Sequence, residues 1–398
     1  MVLFHISYEI AIKTLSLSGL LFTDMIVLIF VVCIAYCYLF IVLFSILGWK
    51  KQSDSGKIPC SYPFCSVVVA ARNEEDCIAR LIQLLHKQKY PSDCFEIIVI
   101  DDHSTDATLQ ILNDCALQME NLVVLSADER SQGKKQALQQ ALSRAKGELI
   151  LFTDADCELT ENWIESYVSF VSQHSGNLYF GNVVPTITEQ SSLIEKCVAL
   201  DFIGIVSVQN GLAAVGHPFS CNGANMCITK SFYKDAYDTN GHFASGDDVF
   251  LLHKAKRLKK NSVFFIPDAD AAVKTSVPNS VTAFFRQRCR WASKATGYKD
   301  GDSIFIACVV YVYCLILTVS ALLSCFGMLK ALVVFVFLFL IKLLCDTVLF
   351  VKTRKQFLSQ TYVWLAIPLQ CVYFLYTTFI PVVSLCRPIE WKSRKVKS

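Results

Sequence analysis

Residues 25–47 read MIVLIFVVCIAYCYLFIVLFSIL, an apolar run without one charge. The hydrocarbon core of a bilayer asks for about 20 such residues in a helix, so the run predicts a transmembrane segment. It exceeds the roughly 7–15 apolar residues of a cleavable leader, and Trp49, Lys50 and Lys51 behind it form a stop-transfer border. Three further apolar stretches, 304–326, 331–351 and 361–386, lie near the other end. A chain held in the membrane at both ends is expected. With 54% hydrophobic and 18% charged residues, neither a disordered chain nor an all-soluble one fits. A net charge of +3, not spread along the chain as a nucleic-acid binder needs, excludes nucleic acid as the expected partner.

Three basic clusters fit one side of the bilayer, the cytosol: Lys50, Lys51 and Lys57; Arg286 to Lys294; and Lys352, Arg354 and Lys355. The tail is basic too, at Arg394, Lys395 and Lys397, yet four simple crossings would put it on the opposite side. Either one assignment fails, or the last stretch, interrupted by Pro368 and Pro381, is a re-entrant hairpin. Lys342 and Asp346, four residues apart, predict an ion pair facing other helices or a piece of a polar path. The 18 cysteines lack C-x-x-C spacing and flanking histidine pairs, which predicts small reduced core residues and no zinc.

Between about 50 and 303 the composition becomes that of a soluble domain. Buried-strand runs at 66–70, 96–100, 121–125 and 148–152 alternate with helical patterns such as 77–88, where Ile78, Leu81, Ile82 and Leu85 share a face. That alternation predicts an α/β domain with a mostly parallel sheet, whose ligands bind beyond the carboxyl ends of the strands.

Acidic residues fall at those ends. Asp154-Ala155-Asp156 follows the run ELILFT, and residues i and i+2 of a strand project from one face. Two hard oxygen donors there suit Mg²⁺ or Mn²⁺ holding a diphosphate; a solvated acidic turn is the plainer reading. Asp101 and Asp102 end another strand, where an acid accepts from a base or ribose group or caps the next helix. Gly246-Asp247-Asp248 precedes a helical run, where one Asp serves as a cap and leaves a carboxylate spare. Gln287, Arg290 and Trp291, at i, i+3 and i+4, share a helical face in an aromatic, basic segment suited to the headgroup plane.

Taken in order, Asp101/Asp102, Asp154-Ala155-Asp156, Gly246-Asp247-Asp248 and Gln287-Arg288-Cys289-Arg290-Trp291 resemble the D, D-x-D, [T/E/G]-[E/D]-D and Q-x-x-R-W pattern of membrane-anchored family 2 glycosyltransferases. That group includes cellulose, chitin and hyaluronan synthases and ceramide glucosyltransferase-like enzymes. The resemblance runs from about residue 65 to 297. It implies a GT-A (Rossmann-like) cytosolic domain with N- and C-terminal transmembrane helices, and a hexosyltransferase-type transferase using a nucleotide-sugar donor, with a family bias to UDP. It further implies Ala71, Arg72, Asn73, Glu74, Asp101, Asp102, Lys134 and Asp154 as nucleotide-sugar-binding residues, with Gly133, Ala137 and Leu138 beside Lys134 completing a G-K-x-x-A-L element. Asp154 and Asp156 are the implied ligands of Mg²⁺ or Mn²⁺. Asp248, with Asp247 as substitute, is the implied base of an inverting displacement, and Gln287, Arg288, Arg290, Trp291, Gly223 and Asn225 the diphosphate and acceptor side. The third motif departs from the T-E-D form, which leaves the role of Asp247 open.

The expected organisation is an N-terminal segment (1–24), a transmembrane helix (25–47), the glycosyltransferase domain (48–275), an amphipathic interfacial helix (276–303), two or three C-terminal spans (304–386) and a basic tail (387–398), in an inner or plasma membrane. The expected acceptor is a lipid or glycan. Processive polysaccharide synthesis is the alternative, followed by a non-catalytic sugar-nucleotide-binding protein. A transporter fits least, because the polar centre lies outside the apolar segments.

Overall fold

The computed structural model describes residues 2–51, 61–128, 133–236, 247–357, 362–386, 389–391 and 394–396, with side chains described for 25–50, 61–128, 133–233, 248–357 and 362–385. In chain order the elements are α1 (Val2–Lys51), β1 (Cys65–Ala71), α2 (Ile78–His86), β2 (Phe95–Asp101), α3 (Thr108–Ala116), β3 (Leu122–Ser126), α4 (Lys134–Arg144), β4 (Leu149–Thr153) and β5 (Glu158–Leu159). Then come α5 (Trp163–Gln173), β6 (Leu178–Gly181), β7 (Val183–Pro185), α6 (Leu193–Ala214), β8 (Asn225–Thr229), α7 (Lys230–Ala236), α8 (Asp247–Leu258), β9 (Val263–Ile266) and β10 (Val273–Thr275). The chain closes with α9 (Val281–Ser293), α10 (Gly301–Cys325), α11 (Leu329–Phe357), α12 (Ala366–Cys386), β11 (Ile389–Trp391) and β12 (Arg394–Val396).

The strand order of the main sheet is β3-β2-β1-β4-β8-β6-β9. Strands β1 to β4 pair in parallel, and all seven residues of β2 are buried. Near-continuous apolar runs are what strands covered on both faces require. The α2 helix buries Ile78, Leu81, Ile82 and Leu85, the face its periodicity predicts. Beyond β4 the sheet changes sense, since β8 runs antiparallel to both β4 and β6. A second small sheet, β5-β10-β7, lies alongside.

Among the described residues five helical segments are long and apolar enough to cross a membrane: Met25–Lys50, Leu193–Ala214, Gly301–Cys325, Leu329–Phe357 and Val363–Leu385. The second, α6, is mostly buried inside the protein and packs against α1. The two helices touch backbone to backbone at Gly48 and Gly211; a Cβ on Gly48 would sit 1.8 Å from the Gly211 carbonyl oxygen. One residue on, Trp49 donates from Nε1 to the Ser207 carbonyl at 2.8 Å and meets Phe265 and Phe357 edge-on. The first apolar helix is thereby keyed into the α/β domain.

The pair Lys342–Asp346 forms, with Nζ 2.6 Å from Oδ2. The same carboxylate accepts from Tyr38 of α1 and Gln370 of α12, each at 2.5 Å, so one buried acid ties three helices together. The last apolar stretch is one helix continuing through Pro381, and the expected alternative of a hairpin there is not observed. Leu365 and Ala366 at its start join the core of the α/β domain, and β11 beyond its end lies against α9.

Candidate active site

A cleft of about 220 Å³ opens at the carboxyl end of β4. Its walls include Lys134, Asp154, Asp156, Gly223, Asp248, Gln287, Arg290 and Trp291, so residues spread over four separate sequence motifs meet in one place. The strand register explains why. Because β4 and β8 are antiparallel, with Thr153 opposite Asn225, the segment leaving β4 and the segment entering β8 lie at the same sheet edge. The first brings Asp154 and Asp156; the second brings Asn222, Gly223 and Ala224.

Gly133, at φ +92°, precedes α4 in a backbone conformation that favours glycine, and Lys134 behind it forms an ion pair with Asp154. Among the described residues Asp156 forms no ion pair of its own and feels Lys134 only at longer range. Burial, then the neighbouring charges of Asp154 and Glu74, push its carboxyl up to about 6. Two hard carboxylates at one strand end, sharing the single charge of Lys134, fit a divalent cation. Among the described residues no cluster of three or more His, Cys, Asp or Glu stands together.

Asp248 stands opposite, in the first turn of α8. Its Oδ1 accepts from the Val249 amide at 2.8 Å and from Lys294 Nζ at 3.3 Å, while Oδ2 accepts from the Gly223 amide at 3.1 Å. Burial alone would raise this acid, but Lys294 and the two amides outweigh it and hold the carboxyl below its usual range. Arg290 lies between the two acidic groups: burial lowers its guanidinium, while Asp154 and Asp248 both act to raise it. The cleft thus sets Lys134 on Asp154 and Lys294 on Asp248, with the Arg290 guanidinium acting on both.

The 71–74 loop lies at the same sheet edge, since Ala71 is paired with Asp101 across β1 and β2. It is laced to the β2 loop. Arg72 donates to the carbonyls of Asp102 and His103 at 2.6 and 2.8 Å, and Asn73, at φ +50°, accepts from the Thr105 amide. The Glu74 amide donates to Thr108 Oγ1 at 2.8 Å. Asp101 accepts from the Ser104 amide through Oδ2, whereas its buried Oδ1 has no hydrogen-bond partner among the described residues. Asp102 is buried. These loops adjoin the cleft rather than line it.

Two expected cleft residues are elsewhere. Asn225 is fully buried: it accepts from Trp163 Nε1 at 3.0 Å and Tyr167 Oη at 2.8 Å, and donates to the carbonyls of Asn182 and Ala271 at 2.8 Å. It joins α5 to both sheets, and its neighbour Asn222 reaches the cleft instead. Arg288 points to the other side of α9, where it forms a buried ion pair with Asp201 of α6. The Asp247 side chain lies outside the described residues, as does Gly246. Lys294 was missed as a site residue although Gln287, Arg290, Trp291 and Lys294 follow i, i+3, i+4, i+7. Val198 and Phe202 of α6 and the segment from Thr275 to Pro278 also line the cleft, and no local signal marks them.

The fold is an α/β domain with a charged cleft at the carboxyl ends of its strands, and the comparisons name the class. Residues 66–195 match the model of glycosyl transferase family 2, and residues 149–380, more than half of the chain, match that of glycosyl transferase family group 2. The chain belongs to glycosyl transferase family group 2. It is 27% identical over 196 residues to glycosyltransferase AglE of Haloferax volcanii, covering 48% of this chain and 61% of that protein. Over 109 residues it is 39% identical to a beta-monoglucosyldiacylglycerol synthase of Nostoc, covering 27% of this chain and 23% of the relative. The chain thus spans less than two thirds of either relative. Its fold is similar to that of the mannosyltransferase PcManGT from Pyrobaculum calidifontis, solved with GDP-Man and Mn²⁺, at a TM-score of 0.53 and 18% identity, covering 87% of this chain and 98% of that one.

Proposed function

We propose that this glycosyltransferase moves a sugar from a nucleotide-sugar donor, of which a UDP-sugar is the favoured candidate, to a lipid or glycan acceptor at a membrane surface, with inversion at the anomeric carbon. The observation that carries the reading is the single cleft in which Asp154, Asp156, Asp248, Arg290 and Trp291 face one another. Asp154 and Asp156 would hold Mg²⁺ or Mn²⁺. A divalent ion bound there supplies charge neutralisation for the departing diphosphate. Arg290 and Lys134 add fixed positive charge on that side, and the 71–74 and 101–102 loops receive the nucleoside. Asp248 accepts the proton of the attacking hydroxyl; kept ionised by Lys294, it is ready at neutral pH. Gln287 and Trp291 form the acceptor wall together with Phe202 and Val198.

The apolar helices support α1, α10, α11 and α12 as the membrane part, with the α/β domain in the cytosol. The relative named beta-monoglucosyldiacylglycerol synthase supports a lipid acceptor. Membranes carrying the protein, incubated with a panel of labelled UDP- and GDP-sugars, are expected to pass label into the lipid extract, with chelation or Asp248→Asn abolishing it. Label in an insoluble polymer would instead establish the processive reading. No incorporation from any donor would refute the proposal.

A further inference from the structure

Arg288 is a buried cation on the helix that lines the cleft, yet no step of sugar transfer uses it. Its partner Asp201 is buried too, with side-chain exposures of 7% and 2% for the pair, and neither residue belongs to the cleft wall. The guanidinium carbon lies 4.3 Å from the centre of the Trp291 ring and 5.0 Å from that of Phe284. Its Nε and Nη1 have no hydrogen-bond partner among the described residues, so one carboxylate and two aromatic faces hold this cation. A buried charge that loses its only counter-charge has to move or draw in water, and here the group that would move with it is Trp291.

Asp201 is itself fastened from the membrane side: its Oδ1 accepts from Tyr376 Oη of α12 at 2.5 Å. Tyr376 meets Phe284 edge-on at 5.2 Å and Tyr373 at 5.2 Å, and the Tyr373 ring lies 3.8 Å from Lys342 Nζ. A continuous series of contacts therefore runs from the indole in the cleft to the Lys342–Asp346 pair among the apolar helices.

We propose that Asp201 is a positioning residue for sugar transfer: by pinning Arg288 behind Trp291 it fixes the indole as the acceptor wall, and through Tyr376 it sets that wall relative to α12. The role in transfer rests on the reading of Trp291 as acceptor-facing; the positioning itself does not.

The test uses the full chain in lipid nanodiscs, with its 5 tryptophans replaced by 5-fluorotryptophan and observed by fluorine NMR. Loss of one line in Trp291→Phe assigns Trp291. In Asp201→Asn the Trp291 line is expected to shift and broaden while the other tryptophan lines stay in place, and Asp201→Glu is expected to restore it. Tyr376→Phe should shift it in the same direction by less. In the labelled-sugar assay, Asp201→Asn is expected to lower transfer by about tenfold with the donor KM changed by less than about twofold, the signature of a misplaced acceptor. A Trp291 line unmoved in Asp201→Asn overturns the proposal. Should that variant lose all its dispersed lines, Tyr376→Phe decides in its place, and an unmoved Trp291 line there overturns it. A moved line with undiminished transfer refutes the acceptor-wall reading and, with it, the role of Asp201 in transfer.

Discussion

Gly48→Ala probes the joint between the first apolar helix and the catalytic domain. A methyl at this position would lie 1.8 Å from the Gly211 carbonyl oxygen and 2.7 Å from its carbon. The two backbones would have to part by roughly 1.2 Å before the contact became even marginally tolerable, since carbon contacts below about 3 Å lie well inside the repulsive wall. Neither side offers a flexible group that could swing aside. Overpacking of this kind costs about 1–3 kcal/mol, and the next residue adds to it: separation lengthens the 2.8 Å bond from Trp49 to Ser207, worth about 1 kcal/mol. A total near 3 kcal/mol corresponds to a fall of about 6–12 °C in Tm for a domain of this size. The assay is tryptophan-fluorescence melting at fixed scan rate, with residual sugar transfer after heating as a second readout. Gly301→Ala is the control, because a Cβ there meets nothing within 4 Å. Equal midpoints for the two variants, within about 1 °C, would refute the packing argument.

Other expectations concern the cleft and its support. Asp248→Asn should reduce kcat by about 10²–10⁴-fold, the usual contribution of a general base, while donor affinity measured by titration calorimetry stays near wild type. Lys294→Met removes the cation that holds Asp248 low, so the acid limb of the pH–rate profile should move to higher pH; an unmoved limb would exclude Asp248 as the group it reports. Asp156 carries its proton up to about 6, and its folded-state value lies above the usual carboxylate value, so its contribution to stability is present at low pH and is lost as pH rises through about 6. Mn²⁺ must displace that proton, and its affinity should therefore weaken about tenfold per pH unit below 6, measured by competition with a fluorescent chelator. Asn225→Ala strands two donors and two carbonyls in the core at about 1–3 kcal/mol each; a Tm close to wild type would show that the site relaxes around them.

Much of this arrangement is readable from local pattern, and what is not has a common cause. The buried parallel strands announce themselves as unbroken apolar runs, and the face of α2 follows from its period. The acids at the strand ends are legible because β4 is apolar up to Thr153 and polar immediately after. Spacing also singles out Gln287, Arg290 and Trp291. It equally separates Arg288, which lies about 100° around the helix from Gln287; motif membership, not geometry, had placed it with the others. The place of Asn225 outside the cleft is not legible locally, because its partners Trp163 and Tyr167 are some 60 residues upstream, and only tertiary structure reveals that their polar groups converge on one amide. The same holds for β8, whose antiparallel insertion between β4 and β6 leaves no mark in its own sequence, and for Phe202, which enters the cleft from α6, a helix long and apolar enough to cross a membrane.

That insertion has a mechanical consequence. The pairing of Thr153 with Asn225 makes a single hydrogen-bonded ladder the ruler for both banks of the cleft. A slip of one residue along it would carry the banks past each other by about 3.4 Å and turn every side chain of one strand to the opposite face. The ladder therefore fixes in whole steps how the turn carrying Asp154 and Asp156 stands against Gly223, whose amide in turn holds Asp248, and the side chains on these segments are left to tune what is transferred.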